Sequence, residues 1–301
     1  MKAALLPDRG VVKVAGDGAR NFLHGLVTAD ILKLTPGTAR FCALLTPQGK
    51  IIADFIVAEA PAAPSGGSDG GFFLDIPRAL GGTLVNRLNL YKLRAKVLVE
   101  DLSETLGVLA AWDGTGSTQF GLCYADPRLP ALGLRLMIPA HRAAEAAVEL
   151  GAALVDASAY EAHRIALGVP RGGLDFAYGD AFPHEADMDQ LGGVDFTKGC
   201  YVGQEVVSRV EHRGTARTRA VPLRYDGAAP EVGAAVTAGD RQLGTIGSAA
   251  HGHAVALLRL DRVDEALAQG EKLSAGAVPI QLVKPDWARF PFPGEAKKAA
   301  E

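Results

Sequence analysis

Residues 196 to 205, Phe196-Thr-Lys-Gly-Cys-Tyr-Val-Gly-Gln-Glu205, bring an amine, a thiol, a phenol, an amide and a carboxylate into one short stretch that also holds two glycines. A thiol acts as a nucleophile or a metal ligand only as the thiolate, so Cys200 needs surroundings that favour negative charge. The sequence offers two sources for that field: Lys198, two residues earlier, and the amides of a helix beginning near Gly199. Gly199 and Gly203 would let backbone or ligand come close. Tyr201 presents a flat face with a hydroxyl, while Gln204 and Glu205 add donors and an acceptor suited to the amide edge of a heterocycle. Cys200 and Lys198 are thus the candidate reactive pair. The competing account is that Cys200 is a small hydrophobe packed at a domain junction, a common fate of an unpaired cysteine.

The other two cysteines, Cys42 and Cys123, are far from Cys200 and from each other. An odd, widely spaced set is neither a disulfide framework nor a zinc pattern, so no metal ligands are expected. The formal net charge of -3, with acidic and basic residues nearly balanced, gives no bulk drive toward nucleic acid or an anionic membrane. No apolar run approaches the ~18 residues of a membrane span, and the apolar part of Met1 to Pro7 is too short for a signal peptide. The expectation is a soluble cytoplasmic protein. With 301 residues, 48% of them hydrophobic, the chain can bury cores in two or three compact units.

The elements that must hold the candidate residues follow in order. Val11 to Val14 reads as a strand, with Asp17 as N-cap of a helix carrying Phe22, Leu23, Leu26, Val27 and Ile31 on one face. Phe41 to Thr46 and Ile51 to Ala58 read as a hairpin about Pro47-Gln-Gly-Lys50. Asp54 lies inside the second arm, where it must face water or find a donor, because an unpaired buried carboxylate is costly. Pro61 to Gly71 reads as a mobile connection, Phe72 to Ile76 as a strand, and Leu80, Leu84, Leu88 and Tyr91 as a helix stripe, followed by a strand over Lys92 to Glu100. A second series follows, with strands over 106–112, 119–124 and 133–138 and an alanine-rich helix after Pro139. Ser158-Ala-Tyr-Glu161 has capping-box spacing for a helix ending at Gly168, in which His163 and Arg164 read as outward-facing polar residues. Arg171 to Lys198 has no period, as expected of a binding loop. Short apolar runs from Ala220 to Val283 predict a small β-barrel, and the tail from Pro285 reads as disordered or strapped over the surface. The boundaries drawn are 1–104, 105–213, 214–285 and 286–301.

The Lys198 to Glu205 octapeptide resembles the K-G-C-Y-x-G-Q-E signature of the YgfZ-type folate-binding proteins, relatives of the glycine-cleavage T protein that act in iron–sulfur protein assembly and repair. Phe22-Leu23 with Thr28-Ala-Asp30, the Leu44 to Gly49 hairpin, Tyr160-Glu161 with Arg164 and Gly168-Val-Pro170, and Pro183-His-Glu185 with Asp189 fit the same pattern over nearly the whole chain. The resemblance implies an α+β fold: a two-part, ferredoxin-like folate-binding region of T-protein type, followed by a small C-terminal β-barrel. It implies tetrahydrofolate or a one-carbon derivative as the cofactor, held in a central channel. Asp54, Arg164, Glu185, Tyr201, Gln204 and Glu205 would be the binding residues, and Cys200 and Lys198 the reactive ones. Its implied partners are folate and iron–sulfur assembly or client proteins, with neither nucleic acid nor membrane.

The chain also departs from the aminomethyltransferases that it resembles. Ala53-Asp54 stands where they carry paired aspartates, and Ala166 where they carry a glutamate. Each missing carboxylate removes a group for holding the pterin or moving a proton. Two functions stay open: a folate-binding assembly factor working through Cys200, and a folate-dependent one-carbon transferase in which Asp54 does the polar chemistry.

Overall fold

Most of the apolar runs become strands in a computed structural model that describes residues 1–60, 70–214 and 216–295. In chain order the elements are β1 (Lys2–Leu6), β2 (Arg9–Ala15), α1 (Ala19–His24), β3 (Ala39–Leu45), β4 (Ile51–Ala60), β5 (Gly71–Pro77), α2 (Gly81–Lys92), β6 (Leu98–Asp101), β7 (Gly107–Trp112), β8 (Leu122–Ala125), β9 (Leu134–Ile138), α3 (Ala143–Glu149), β10 (Ala153–Leu154) and α4 (Ala157–Ala166). After a long irregular stretch come α5 (Gln204–Arg213), β11 (Thr218–Tyr225), β12 (Ala235–Ala238), β13 (Arg241–Ala250), β14 (His253–Arg259), α6 (Leu260–Ala268), β15 (Leu273–Ala275) and β16 (Val278–Leu282). The connection expected at Pro61 to Gly71 lies almost wholly outside the described residues, as does the lysine-alanine end of the tail.

The chain divides into two compact units: Met1–Tyr160 with Leu191–Glu205, and Glu161–Gln190 with Val206–Glu301. The first contains two five-stranded sheets, ordered β3-β4-β5-β2-β6 and β10-β1-β7-β9-β8. Leu84 and Leu88 of α2, Leu23 of α1 and Phe55 of β4 fill the core on the first sheet, and Ala143, Ala146 and Ala147 of α3 cover the second. Within this unit a buried ion chain ties the sheets together. Asp75 accepts from Arg9 Nε at 2.5 Å and Arg135 Nη1 at 2.9 Å, and Arg135 Nε continues to Asp126 at 3.1 Å. Burial works against the Asp126 charge, yet Arg128 and Arg135 hold its carboxyl down at about 2.

The second unit is dominated by a closed barrel, β11-β14-β13-β12-β15-β16, with β16 returning to β11. Val263 and Ala266 of α6 join its core. The tail is strapped rather than loose over the described part, since Ala288, Phe290 and Phe292 are buried in the same core.

Several local expectations need correction. Phe22 to Ile31 is not one helix: α1 stops at His24, and Ile31–Lys33 is a separate 3-10 turn capped by Asp30, which accepts from Leu32 N at 3.0 Å. Thr28 breaks the run, because its Oγ1 takes the Ala43 amide at 2.9 Å and donates to the Gly193 carbonyl, drawing the backbone to β3. Gly18, not Asp17, occupies the N-cap of α1. Asp156, not Ser158, caps α4, accepting from Ser158 N at 2.8 Å. Lys92 ends α2, and the strand expected from it begins only at Leu98.

Candidate functional site

Between Gly168 and Gly203 the backbone forms turns and bends, and its order comes from side chains. Asp195 sets the last bend: its Oδ1 accepts from the Thr197 amide at 2.8 Å, the Lys198 amide at 3.0 Å and the Thr197 hydroxyl at 2.7 Å. Lys198 then turns inward, donating from Nζ to the carbonyls of His24 at 2.6 Å, Val27 at 2.6 Å and Ala29 at 3.0 Å. Those carbonyls are left over where α1 ends early, so the broken helix supplies the socket for the lysine. The ammonium also stands 5.1 Å from the centroid of the Tyr201 ring. Lys198 and Tyr201 are buried, whereas Gly199 and Cys200 between them are exposed. Two inward anchors therefore present one outward thiol. Gly203 closes the segment at φ +82, and a Cβ there would lie 2.5 Å from the Thr46 carbonyl oxygen, so the hairpin after β3 admits only glycine.

This geometry corrects both proposed sources of a thiolate-favouring field at Cys200. All three Lys198 donors serve backbone carbonyls, and α5 starts at Gln204 rather than near Gly199. Burial pulls the Lys198 ammonium down to about 8, against the raising influence of Cys42, Asp30 and Asp195. Its charge acts on Cys42, whose wholly buried thiol is pushed up strongly by desolvation and further by Asp54, with Lys198 opposing. Cys200 is the exposed thiol, which removes the account of it as a packed hydrophobe. Asp54 is only 7% exposed, so it is not a strand residue facing water. The Tyr201 hydroxyl is buried with no hydrogen-bond partner, and burial, aided by the charge of Asp195, pushes it up to about 12. Gln204 is half-buried and Glu205 exposed in the first turn of α5.

Arg164 and Glu185 belong to the other unit, where both serve structure. Arg164 is buried, not outward-facing: Nε and Nη2 grip Glu161 at 3.1 and 2.5 Å, Nη1 reaches Asp175 at 2.9 Å and the Val169 carbonyl, and Nη2 reaches Ser248 at 2.8 Å. Its five N–H groups are fully engaged, so the resemblance-based role as a folate ligand does not fit this residue. Glu185 accepts the Phe182 amide at 2.9 Å, and its carbonyl accepts the Ala220 amide at 2.9 Å, pinning the loop to β11.

In the second unit His184 and Asp189, named above only through the family pattern, belong to a cluster that sequence reasoning did not assemble. Arg219 donates to Asp187 at 2.9 Å and to Asp189 at 2.9 and 2.8 Å, and desolvation raises the Asp187 carboxyl well above its usual range in spite of that partner. His184, Asp189 and Glu211 bring ligand atoms within 4.8 Å of one another, with both Asp189 oxygens already held by Arg219. Asp195 was also missed, although Asp-Phe-Thr is a turn signal in which a side chain captures the amides that follow.

Comparison with known proteins adds three findings. Residues 217–290 match the family model described as the CAF17 C-terminal beta-barrel domain. The chain is 36% identical over 234 residues to the mitochondrial iron-sulfur cluster assembly factor IBA57 homolog of Mycosarcoma maydis, covering 74% of this chain and 57% of that one. It is 31% identical over 313 residues to the mitochondrial iron-sulfur cluster assembly factor IBA57 of Mus musculus, covering 94% of this chain and 84% of that one. The chain thus spans little more than half of the fungal relative but most of the mouse one. Among solved structures, the glycine cleavage system aminomethyltransferase T of Bartonella henselae superposes with a TM-score of 0.73 over 97% of this chain and 87% of that one, at 16% identity. The α+β T-protein-like fold with a closed six-stranded barrel is therefore as expected. The cytoplasmic expectation is overturned, since these relatives are named mitochondrial. Charge balance and short apolar runs do not distinguish one aqueous compartment from another.

Proposed function

Because this chain is a member of the IBA57 family, we propose that it is a folate-binding factor for iron–sulfur protein assembly that works through the thiol of Cys200. One observation carries the reading: of the chain's three cysteines, Cys200 alone is exposed, displayed between the buried anchors Lys198 and Tyr201. A cluster needs about four ligands, so one thiol serves as a single point of contact, and an assembly or client protein supplies the rest. The cluster is cargo in this reading, passed between proteins rather than kept.

The folate part rests on the first unit, whose buried polar groups fit a pterin in part. The Tyr201 hydroxyl is a buried polar atom without a partner, the kind of group a ligand's amide edge would satisfy, and Asp54 is a buried carboxylate on the neighbouring hairpin. These two residues, with Gln204 and Glu205 beside them, are the proposed contacts. Arg164 is left out because its donors are spent. When bound, a reduced folate supplies a basic ring nitrogen and a pterin edge of donors and acceptors.

The test pairs two measurements on the full chain. Cys200→Ser should abolish rescue of cluster-dependent enzyme activity in a strain lacking the protein, while calorimetry shows tetrahydrofolate affinity within about twofold of wild type, as expected for an exposed residue that is not among the proposed folate contacts. Tyr201→Phe should weaken folate binding and leave the thiol reactive. Full rescue by Cys200→Ser removes the assembly reading. Turnover of a methylated amine with folate, lost in Asp54→Asn, would replace it with one-carbon transfer.

A further inference from the structure

The end of α2 and the start of β6 leave three leucines in solvent: Leu90 at 70%, Leu93 at 89% and Leu98 at 54% exposure. Helical spacing explains the first. The inward stripe of α2 is Leu84 and Leu88, so Leu90, two residues on, points to the opposite side. Leu93 is the C-cap, held at φ 43 and ψ -106, a conformation that costs a β-carbon-bearing residue about 1–3 kcal/mol. Glycine is the usual solution at such a position. Here a strained backbone holds a large apolar side chain out in water. Leu98 follows on the edge strand of its sheet, after a turn closed by Ala95 N to Lys92 O at 2.7 Å and Val97 N to Ala95 O at 2.9 Å.

The leucines are interleaved with cations. Arg87, Arg94 and Lys96 are exposed, Lys92 is half-buried, and no acidic residue occurs between Asp75 and Glu100. None of the four pairs with a described acidic residue. Residues 87–96 thus carry four cations and no carboxylate on a chain whose formal net charge is -3, with Glu100 and Asp101 exposed further along β6 and Asp17 following Ala15, the register partner of Leu98. We infer that this corner is a docking surface for an acidic protein segment that carries apolar anchors, the leucines seating the anchors and the cations choosing the partner. Charge complementarity names the occupant, since an apolar anchor alone would not need a cationic collar. An anionic bilayer fits less well. Glu100 shares the outward face of β6 with Leu98, two residues along the strand, and a flat charged surface that took up the leucine would meet the carboxylate too.

The inference is independent of the folate and thiol reading, and its test uses neither. The probe is a fluorescein-labelled amphipathic peptide with glutamates on one helical face and leucines on the other, titrated by anisotropy. Saturable binding to the full chain is expected, falling as salt is raised. Arg94→Glu with Lys96→Glu, and separately Leu90→Ser with Leu93→Ser, should each weaken it by about tenfold or more. Leu93→Gly guards against a folding artefact: it relieves the positive φ, so its melting temperature should rise while binding falls. Absence of binding, equal binding by all variants, or binding of phosphatidylserine vesicles lost in the same variants while the peptide does not bind, would each overturn the inference.

Discussion

Replacing Lys198 with methionine separates the two roles this lysine has been given. The side chain donates to three carbonyls, and a buried carbonyl deprived of its donor costs about 1–3 kcal/mol, which puts the gross loss at about 3–6 kcal/mol when water repairs part of it. Methionine also removes a buried charge. Lys198 titrates at about 8 instead of 10.5, a burial penalty of about 3 kcal/mol at most. The balance is a net destabilisation of about 2 kcal/mol, read from the urea midpoint with an unchanged slope. The rate of Cys200 alkylation by iodoacetamide, measured well below that midpoint, should stay within about threefold of wild type, because the ammonium serves carbonyls and not the thiol. Should the midpoint hold while alkylation slows by about tenfold, Lys198 would be acting on the thiol, and the anchoring argument fails.

The same lysine gives a pH signature. Its folded pKa is lowered, so between about pH 8 and 10.5 the unfolded chain binds more protons and stability from this group rises with pH, whereas Lys198→Met should lack that rise in paired denaturation curves. Arg164→Ala removes the cation beside the fully buried Asp175, leaving that carboxylate only the Arg171 amide and Ser248 as donors while Glu161 keeps Arg171, and should cost about 3–5 kcal/mol by thermal unfolding, whereas tetrahydrofolate affinity of the remaining folded fraction should be unchanged. Gly203→Ala meets both a positive φ and the Thr46 carbonyl, so a loss of about 2 kcal/mol or more is expected from the denaturation midpoint.

How far the sequence could be read depended on whether a residue's fate was decided nearby or far away. The β3–β4 hairpin was readable because two apolar runs flank a turn sequence, and the inner stripe of α2 because its leucines recur at helical spacing. The barrel was readable from short runs punctuated by glycine, although α6 escaped notice despite Val263 and Ala266 sharing a helical face. The direction of Lys198 was not readable. A lysine on an irregular loop gives no hint of its partner, and these carbonyls lie about 170 positions earlier, exposed by an early helix end that Thr28 imposes through its own tertiary bonds. Arg164 misled for a related reason: adjacency to His163 suggested a polar face, while Asp175 and Ser248 came from later segments to bury it.

The pairing of β1 sets a constraint on how the chain is made. Lys2–Leu6 lies inside its sheet, parallel to Ala153–Leu154 on one side and antiparallel to residues 108–112 on the other. A ribosome adding ~5–20 residues per second releases those partners roughly 5–30 s after the strand itself has emerged. For that interval Ala3-Ala4-Leu5-Leu6 is an apolar ribbon with no sheet to enter, so nascent-chain chaperones have a clear claim on this strand, and the second sheet cannot close before Leu154 has been made.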